Sequence, residues 1–198
     1  MNKIQLLIWH SLAVMCVALS ANSAFAQTPR WSAAEKYDQG DETSLAVHQS
    51  GLVVEVHQSH AIGAETLWYH LGSLNGTSVT WGGSQGLPWT GSWPNVAISK
   101  EGYVLFVFSI QTRKDYSHLY YAVGQIDPQG GIDQSITWLT SESRLFDSGY
   151  HSSIAMNDNG VILEVHESGS GGAGLYYRVG HLEHPAGGDR GIAWDSGG

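Results

Sequence analysis

The chain has 198 residues, 42% of them hydrophobic and 14% charged, and its 18 acidic residues outnumber nine basic ones. That balance repels phosphate backbones and anionic headgroups, which argues against DNA, RNA and acidic membrane surfaces as partners. The single cysteine, Cys16, falls in the leader described next, so disulfides and cysteine chemistry are excluded from the mature fold.

Residues 1–26 read as a secretory signal peptide. Lys3 supplies a short positive start, and Ile4 to Leu19 form an apolar run broken only by Gln5, His10 and Ser11. Ala24-Phe25-Ala26 is an A-x-A cleavage site, which makes Gln27 the expected mature N-terminus of a secreted or periplasmic protein. Cleavage removes Lys3, leaving eight basic residues and a net charge of −10 with neutral histidines. No later segment has the roughly 18 consecutive apolar residues of a membrane span. Residues 27–198 are long enough for one domain with a real core.

That domain is built of repeats. Trp31, Trp81, Trp138 and Trp194 recur at spacings of 50, 57 and 56 residues and head copies at about 31–80, 81–137 and 138–193, with a fourth beginning at 194. In chain order, a short apolar block comes first: Ser44-Leu45-Ala46-Val47, then Asn95-Val96-Ala97-Ile98, then Ser153-Ile154-Ala155-Met156. A glycine follows and opens the most regular block. It runs Gly51-Leu52-Val53-Val54-Glu55-Val56-His57, then Gly102-Tyr103-Val104-Leu105-Phe106-Val107-Phe108, then Gly160-Val161-Ile162-Leu163-Glu164-Val165-His166. Next come Leu67-Trp68-Tyr69-His70-Leu71-Gly72, Leu119-Tyr120-Tyr121-Ala122-Val123-Gly124 and Leu175-Tyr176-Tyr177-Arg178-Val179-Gly180. The last block ends on the tryptophan of the next copy, as in Ser78-Val79-Thr80-Trp81.

These runs are rich in β-branched and aromatic residues and are punctuated by Gly, Asn, Asp and Ser, the pattern of strands and tight turns. No stretch after residue 26 keeps a helical period. Four strands at this period predict an all-β fold, a propeller-like array of about three four-stranded antiparallel blades. A β-sandwich of about 12 strands is the competing architecture. Closed propellers have about 4–8 blades, so three imply either a truncated propeller or copies that meet as a homo-oligomer through exposed blade faces.

Strand alternation puts Glu55 with His57 on one face, and Trp68 with His70 on one face of the next strand. Glu164 with His166, and Tyr176 with Arg178, repeat the arrangement. An aromatic plate beside carboxylate, imidazole and guanidinium groups is a sugar-binding combination: ring faces cover pyranose C–H groups and charged groups bond hydroxyls. The same groups also fit a buried staple between blades, since charges inside a sheet stack must be paired. In the middle copy Phe106, Phe108 and Ala122 replace the polar members together, as a linked network would.

Other candidates carry less. His181-Leu182-Glu183-His184 has metal-ligand spacing but no third ligand in view, and no metal is assigned. Asp38-x-Gly40 and Asp147-x-Gly149 read as strand-connecting turns, and Gly169 to Gly174 as a loop tip. No nucleophile elbow, zincin motif or phosphate-binding loop is present, so no catalytic residue and no cofactor are predicted. Glu55 or Glu164 as a glycosidase carboxylate is disfavoured, because a repeated residue is not a single catalytic pair.

With its Glu55-Val56-His57 and Leu67-Trp68-Tyr69 signatures, the chain resembles a repeat of secreted bacterial β-propellers, and more loosely the seven-bladed fucose-binding lectins. Similar arrays accompany secreted phospholipase-C-type enzymes. The resemblance spans nearly all of residues 31–194 and implies sugar binding between blades, with Glu55, Trp68, Glu164, Tyr176 and Arg178 in the binding roles. The expected function is therefore a secreted propeller-type carbohydrate-binding module with glycans as partners. An accessory propeller of a secreted hydrolase and a purely structural assembly repeat are the alternatives.

Overall fold

The computed structural model describes residues 32–60, 65–113, 116–169, 174–183 and 190–195. The leader and its cleavage site, Trp31, most of the glycine-rich tip and His184 lie outside them. The described residues are all-β, with antiparallel pairing throughout and no sheet closed into a barrel.

The strands form three successive meanders. The first runs β1 (Asp41–Val47), β2 (Leu52–Gln58) and β3 (Thr66–Asn75), whose outer edge is shared by β4 (Ser78–Trp81) and β5 (Gln85–Thr90). The second runs β6 (Ser92–Ile98), β7 (Tyr103–Arg113) and β8 (Tyr116–Gln125). Its outer edge is shared by β9 (Thr137–Trp138) and the first part of β10 (Arg144–Met156). The rest of β10 opens the third meander, followed by β11 (Val161–Ser168), β12 (Leu175–Glu183) and β13 (Gly191–Trp194).

Each meander's first hairpin turns on a glycine in the left-handed region, at Gly51, Gly102 and Gly160 with φ of 88°, 81° and 74°. A side chain there would be strained, which explains why glycine opens every copy of the main block. Each first strand also carries a bulge, where Glu42, Trp93 and His151 sit at φ of 54°, 51° and 50°. The last strand of each meander, β4, β9 or β13, closes its own sequence copy on the next copy's tryptophan, and the first two meanders also take an edge strand from the start of the following copy, β5 and the first part of β10.

Alternation gives every meander two faces. The front of the second, with Val96, Val104, Phe106 and Phe108, packs on the back of the first, formed by Leu52, Val54, Val56, Leu67, Tyr69 and Leu71. The front of the third, with Ile154, Ile162 and Ile192, packs in the same way on Leu105, Val107, Tyr121 and Val123. One polar contact repeats with the packing. The Ile136 N–H donates to the Tyr69 hydroxyl at 3.1 Å, and the Ile192 N–H donates to the Tyr121 hydroxyl at 3.2 Å. The first strands lie side by side, β1 by β6 and β6 by β10, and Asn95 Nδ2 donates to the Ser152 carbonyl at 2.6 Å.

The back of the third meander has no such cover among the described residues. Leu175 is 84% exposed where Leu67 and Leu119 are fully buried, and Tyr177 is 54% exposed where Tyr69 and Tyr121 are 3% and 4%. Val161, Leu163 and Val165 continue the bare face.

Candidate functional site

The strand register assembles the polar groups as alternation predicts. Glu55 stands opposite His70 and His57 opposite Trp68; Glu164 stands opposite Arg178 and His166 opposite Tyr176. All eight lie on the front faces of the first and third meanders.

Each set gains an aspartate that the sequence reading assigned to a plain turn. Asp38 comes from the segment before β1, and Asp147 from the matching position in β10, two residues ahead of Gly40 and Gly149. Both glycines are required by close approach. A Cβ at Gly40 would lie 2.4 Å from His57 Cδ2, and one at Gly149 would lie 2.5 Å from His166 Cδ2. The D-x-G motif thus lets the backbone pass against an imidazole edge and aims its carboxylate at the set. The signal was available in sequence: the residue two before the equivalent Gly91 is Trp89, changing in step with Phe106, Phe108 and Ala122.

In the first set, the His57 Nδ1 lies 3.1 Å from Glu55 Oε2, and the His70 Nε2 lies 2.6 Å from Asp38 Oδ2. His70 Nδ1 sits 3.1 Å from the Gly82 carbonyl, which accepts its hydrogen bond. The two imidazole rings stack with centroids 5.7 Å apart. The hydrogen bond to Glu55 raises the His57 pKa, partly offset by burial. The hydrogen bond from His70, helped by the Gln39 N–H, holds Asp38 below its usual value. Burial first, then the charge of Glu55 and a hydrogen bond to it, push the Tyr37 hydroxyl up to about 12. Tyr37 also stacks on Trp81 at 4.7 Å.

In the third set, His166 Nδ1 lies 2.9 Å from Glu164 Oε2, and Ser152 Oγ donates to Glu164 Oε1 at 2.7 Å. Arg178 Nε donates to Asp147 Oδ2, and the His166 ring stacks on Tyr176 with centroids 5.7 Å apart. Ser152 is a member that the sequence reading missed. In the second meander Trp89, Phe106 and Phe108 stack on one another instead, with ring centroids 5.2–6.3 Å apart.

Burial separates two roles. Glu55, His57, His70, Glu164 and His166 are buried and bonded to one another or to close neighbours. Trp68 is half-buried, with its indole over Gly86 of β5. Tyr176 and Arg178 reach solvent: with Asp147, Ser148, His166 and Ser168 they line an open cleft of about 360 Å³. An adjoining cleft of about 370 Å³ shares His166 and Tyr176 with it and is lined further by His151, Glu167, Leu175 and Tyr177.

His181 and Glu183 lie on β12 at its pairing with β13, and form no cluster of three ligands among the described residues. No described helix is long and apolar enough to cross a membrane. No protein-family model matches the chain, and neither a curated protein nor a solved structure matches it.

Proposed function

We propose that the chain is a secreted, non-catalytic carbohydrate-binding module, with its sugar site in the cleft between the second and third meanders. The observation that carries this reading is the exposed edge of the third set. The half-exposed Tyr176 ring offers an apolar face for a pyranose, and the Asp147–Arg178 pair beside it offers one acceptor and several donors for hydroxyls. Ser148 and Ser168 add hydroxyls at the rim. The deeper Glu164 and His166 hold the arrangement in place from beneath. Their burial, and that of Glu55, His57 and His70, favours a fastening role for these five. The ligand-facing members of the predicted site narrow to Tyr176 and Arg178, joined by Asp147. Binding of the parent to a glycan array, lost in Arg178→Ala and Tyr176→Ala without loss of fold, is the test.

The same reading takes the three meanders as consecutive blades of a β-propeller. In support, each outer strand passes directly into the inner strand of the next meander, and the inner strands lie side by side. The bare back of the third blade is then an interface waiting for a front face. We assign it to the first blade of a second copy, because the chain itself shows this contact twice. The first blade carries a matching exposed front at Leu45 and Val47. Two copies joined head to tail give six blades, within the range of about 4–8 that closes a ring.

A further inference from the structure

We propose that Asp38, His57 and His70 form a binding site for a divalent transition-metal ion, with Zn²⁺ the best fit. Their ligand atoms all lie within 4.8 Å of one another, and both imidazoles are buried. The hydrogen bonds on the far side of each ring point to the same protonation pattern. His57 Nδ1 is turned to the Glu55 carboxylate at 3.1 Å, and His70 Nδ1 to the Gly82 carbonyl at 3.1 Å. Without an ion the His70 Nε2–H donates to Asp38. A metal ion would take the place of that proton, and with each Nδ1 proton donated away both Nε2 atoms, which lie toward Asp38, would serve as neutral ligands.

An imidazole whose other nitrogen donates to a carboxylate or a backbone carbonyl is the usual partner of a protein-bound metal, because that bond fixes the tautomer and the ring orientation. The spacing also suits the ion. Ligands about 2.05 Å from a tetrahedral zinc stand about 3.3 Å apart. The His70 and His57 Nε2 atoms lie 2.6 Å and 3.9 Å from Asp38 Oδ2, on either side of that value. A rotation of the carboxylate, which is one-third exposed, would even them out and leave a fourth position for water.

Comparison of the three meanders explains why only this set would need an ion. In the third, the position of His70 is held by Arg178, whose guanidinium supplies a fixed positive charge to Asp147. In the second, Trp89, Phe106, Phe108 and Ala122 leave no charge to neutralise. The first keeps the two carboxylates, Asp38 and Glu55, but has an imidazole where the third has an arginine. A bound dication restores the missing charge and ties the segment carrying Asp38 to β2 and β3. Two imidazoles and one carboxylate suit zinc over the harder Mg²⁺ and Ca²⁺, which prefer oxygen ligands.

The test uses untagged full-length protein, stripped with EDTA, dialysed and titrated with ZnCl₂ by calorimetry, with bound metal counted by mass spectrometry. About one zinc per chain and a higher melting temperature on loading are expected. His70→Arg rebuilds the guanidinium–carboxylate pair of the third meander. It should therefore keep the unloaded melting temperature while weakening zinc binding at least about 100-fold. Glu55→Gln, which leaves all three ligands in place, should weaken it by about 10–100-fold. Parent protein that retains no stoichiometric zinc overturns the proposal. So does His70→Arg binding zinc as tightly as the parent, because the metal would then sit elsewhere.

Discussion

Replacing His166 by alanine strands the carboxylate beneath the cleft. Glu164 has no exposed surface, and its partners are His166 at 2.9 Å and the Ser152 hydroxyl at 2.7 Å. Removing one partner of a buried charged pair costs roughly 3–5 kcal/mol, because the remaining charge is desolvated and uncompensated. For a chain of this size, at about 2–4 °C per kcal/mol, the melting temperature should fall by roughly 6–20 °C. Removing Glu164 as well takes away the stranded charge. The double alanine variant should therefore lose less than the sum of the single losses, with a coupling of roughly 1–3 kcal/mol. The second meander supplies a further arm, since it fills the same positions with apolar groups. Exchanging Asp147→Trp, Glu164→Phe, His166→Phe and Arg178→Ala together copies that solution. It should recover most of the stability that His166→Ala loses, as buried ion pairs can be replaced by packed apolar side chains at little cost. Thermal and urea unfolding of the four variants measure this. Additive single losses, or a loss below about 1 kcal/mol for His166→Ala, would refute the account of Glu164 and His166 as a buried fastener.

Two other expectations follow from the packing. Gly149→Ala places a Cβ 2.5 Å from His166 Cδ2 and 2.7 Å from the Glu167 carbonyl oxygen, so it should lower the melting temperature by several degrees and displace the imidazole. NMR of the His166 ring protons, or a crystal structure of the variant, checks the displacement. Tyr177→Arg sits on the bare back face, so it should leave the fold of each copy intact and convert a head-to-tail dimer into monomers in light scattering. A parent that is already monomeric at micromolar concentration rules out the two-copy ring but leaves the packing within the chain untouched.

Much of this architecture is legible in the sequence, for reasons that particular residues show. Gly51, Gly102 and Gly160 need the left-handed conformation, so they mark each hairpin without ambiguity. Period-two alternation alone places Glu55 with His57 and Glu164 with His166. The pairing of β5 and the start of β10 with the preceding copy is not legible, because local pattern says nothing about which neighbour a strand joins. Asp38 and Asp147 escaped for a related reason: an aspartate two residues before a glycine is ordinary turn chemistry, and its partners lie on strands 19 to 32 residues away. The step change at Trp89 was the clue, since an aspartate that only makes a turn has no cause to become tryptophan when Glu and His become Phe. The difference in exposure between Glu164 and Arg178, neighbours across one strand pair, depends on tertiary cover and had no sequence signal.

The central claim is that Tyr176, Arg178 and Asp147 present a sugar-binding surface over that fastener. Its most direct test is a glycan array probed with the parent and Arg178→Ala side by side, each with its melting temperature measured. Arg178 is about one-third exposed, so screening by solvent keeps the stability change of the variant small. The account predicts a defined set of glycans bound by the parent and lost in Arg178→Ala, with melting temperatures within a few degrees. A folded parent that binds no glycan, or an Arg178→Ala variant that binds the same glycans equally well, would contradict it.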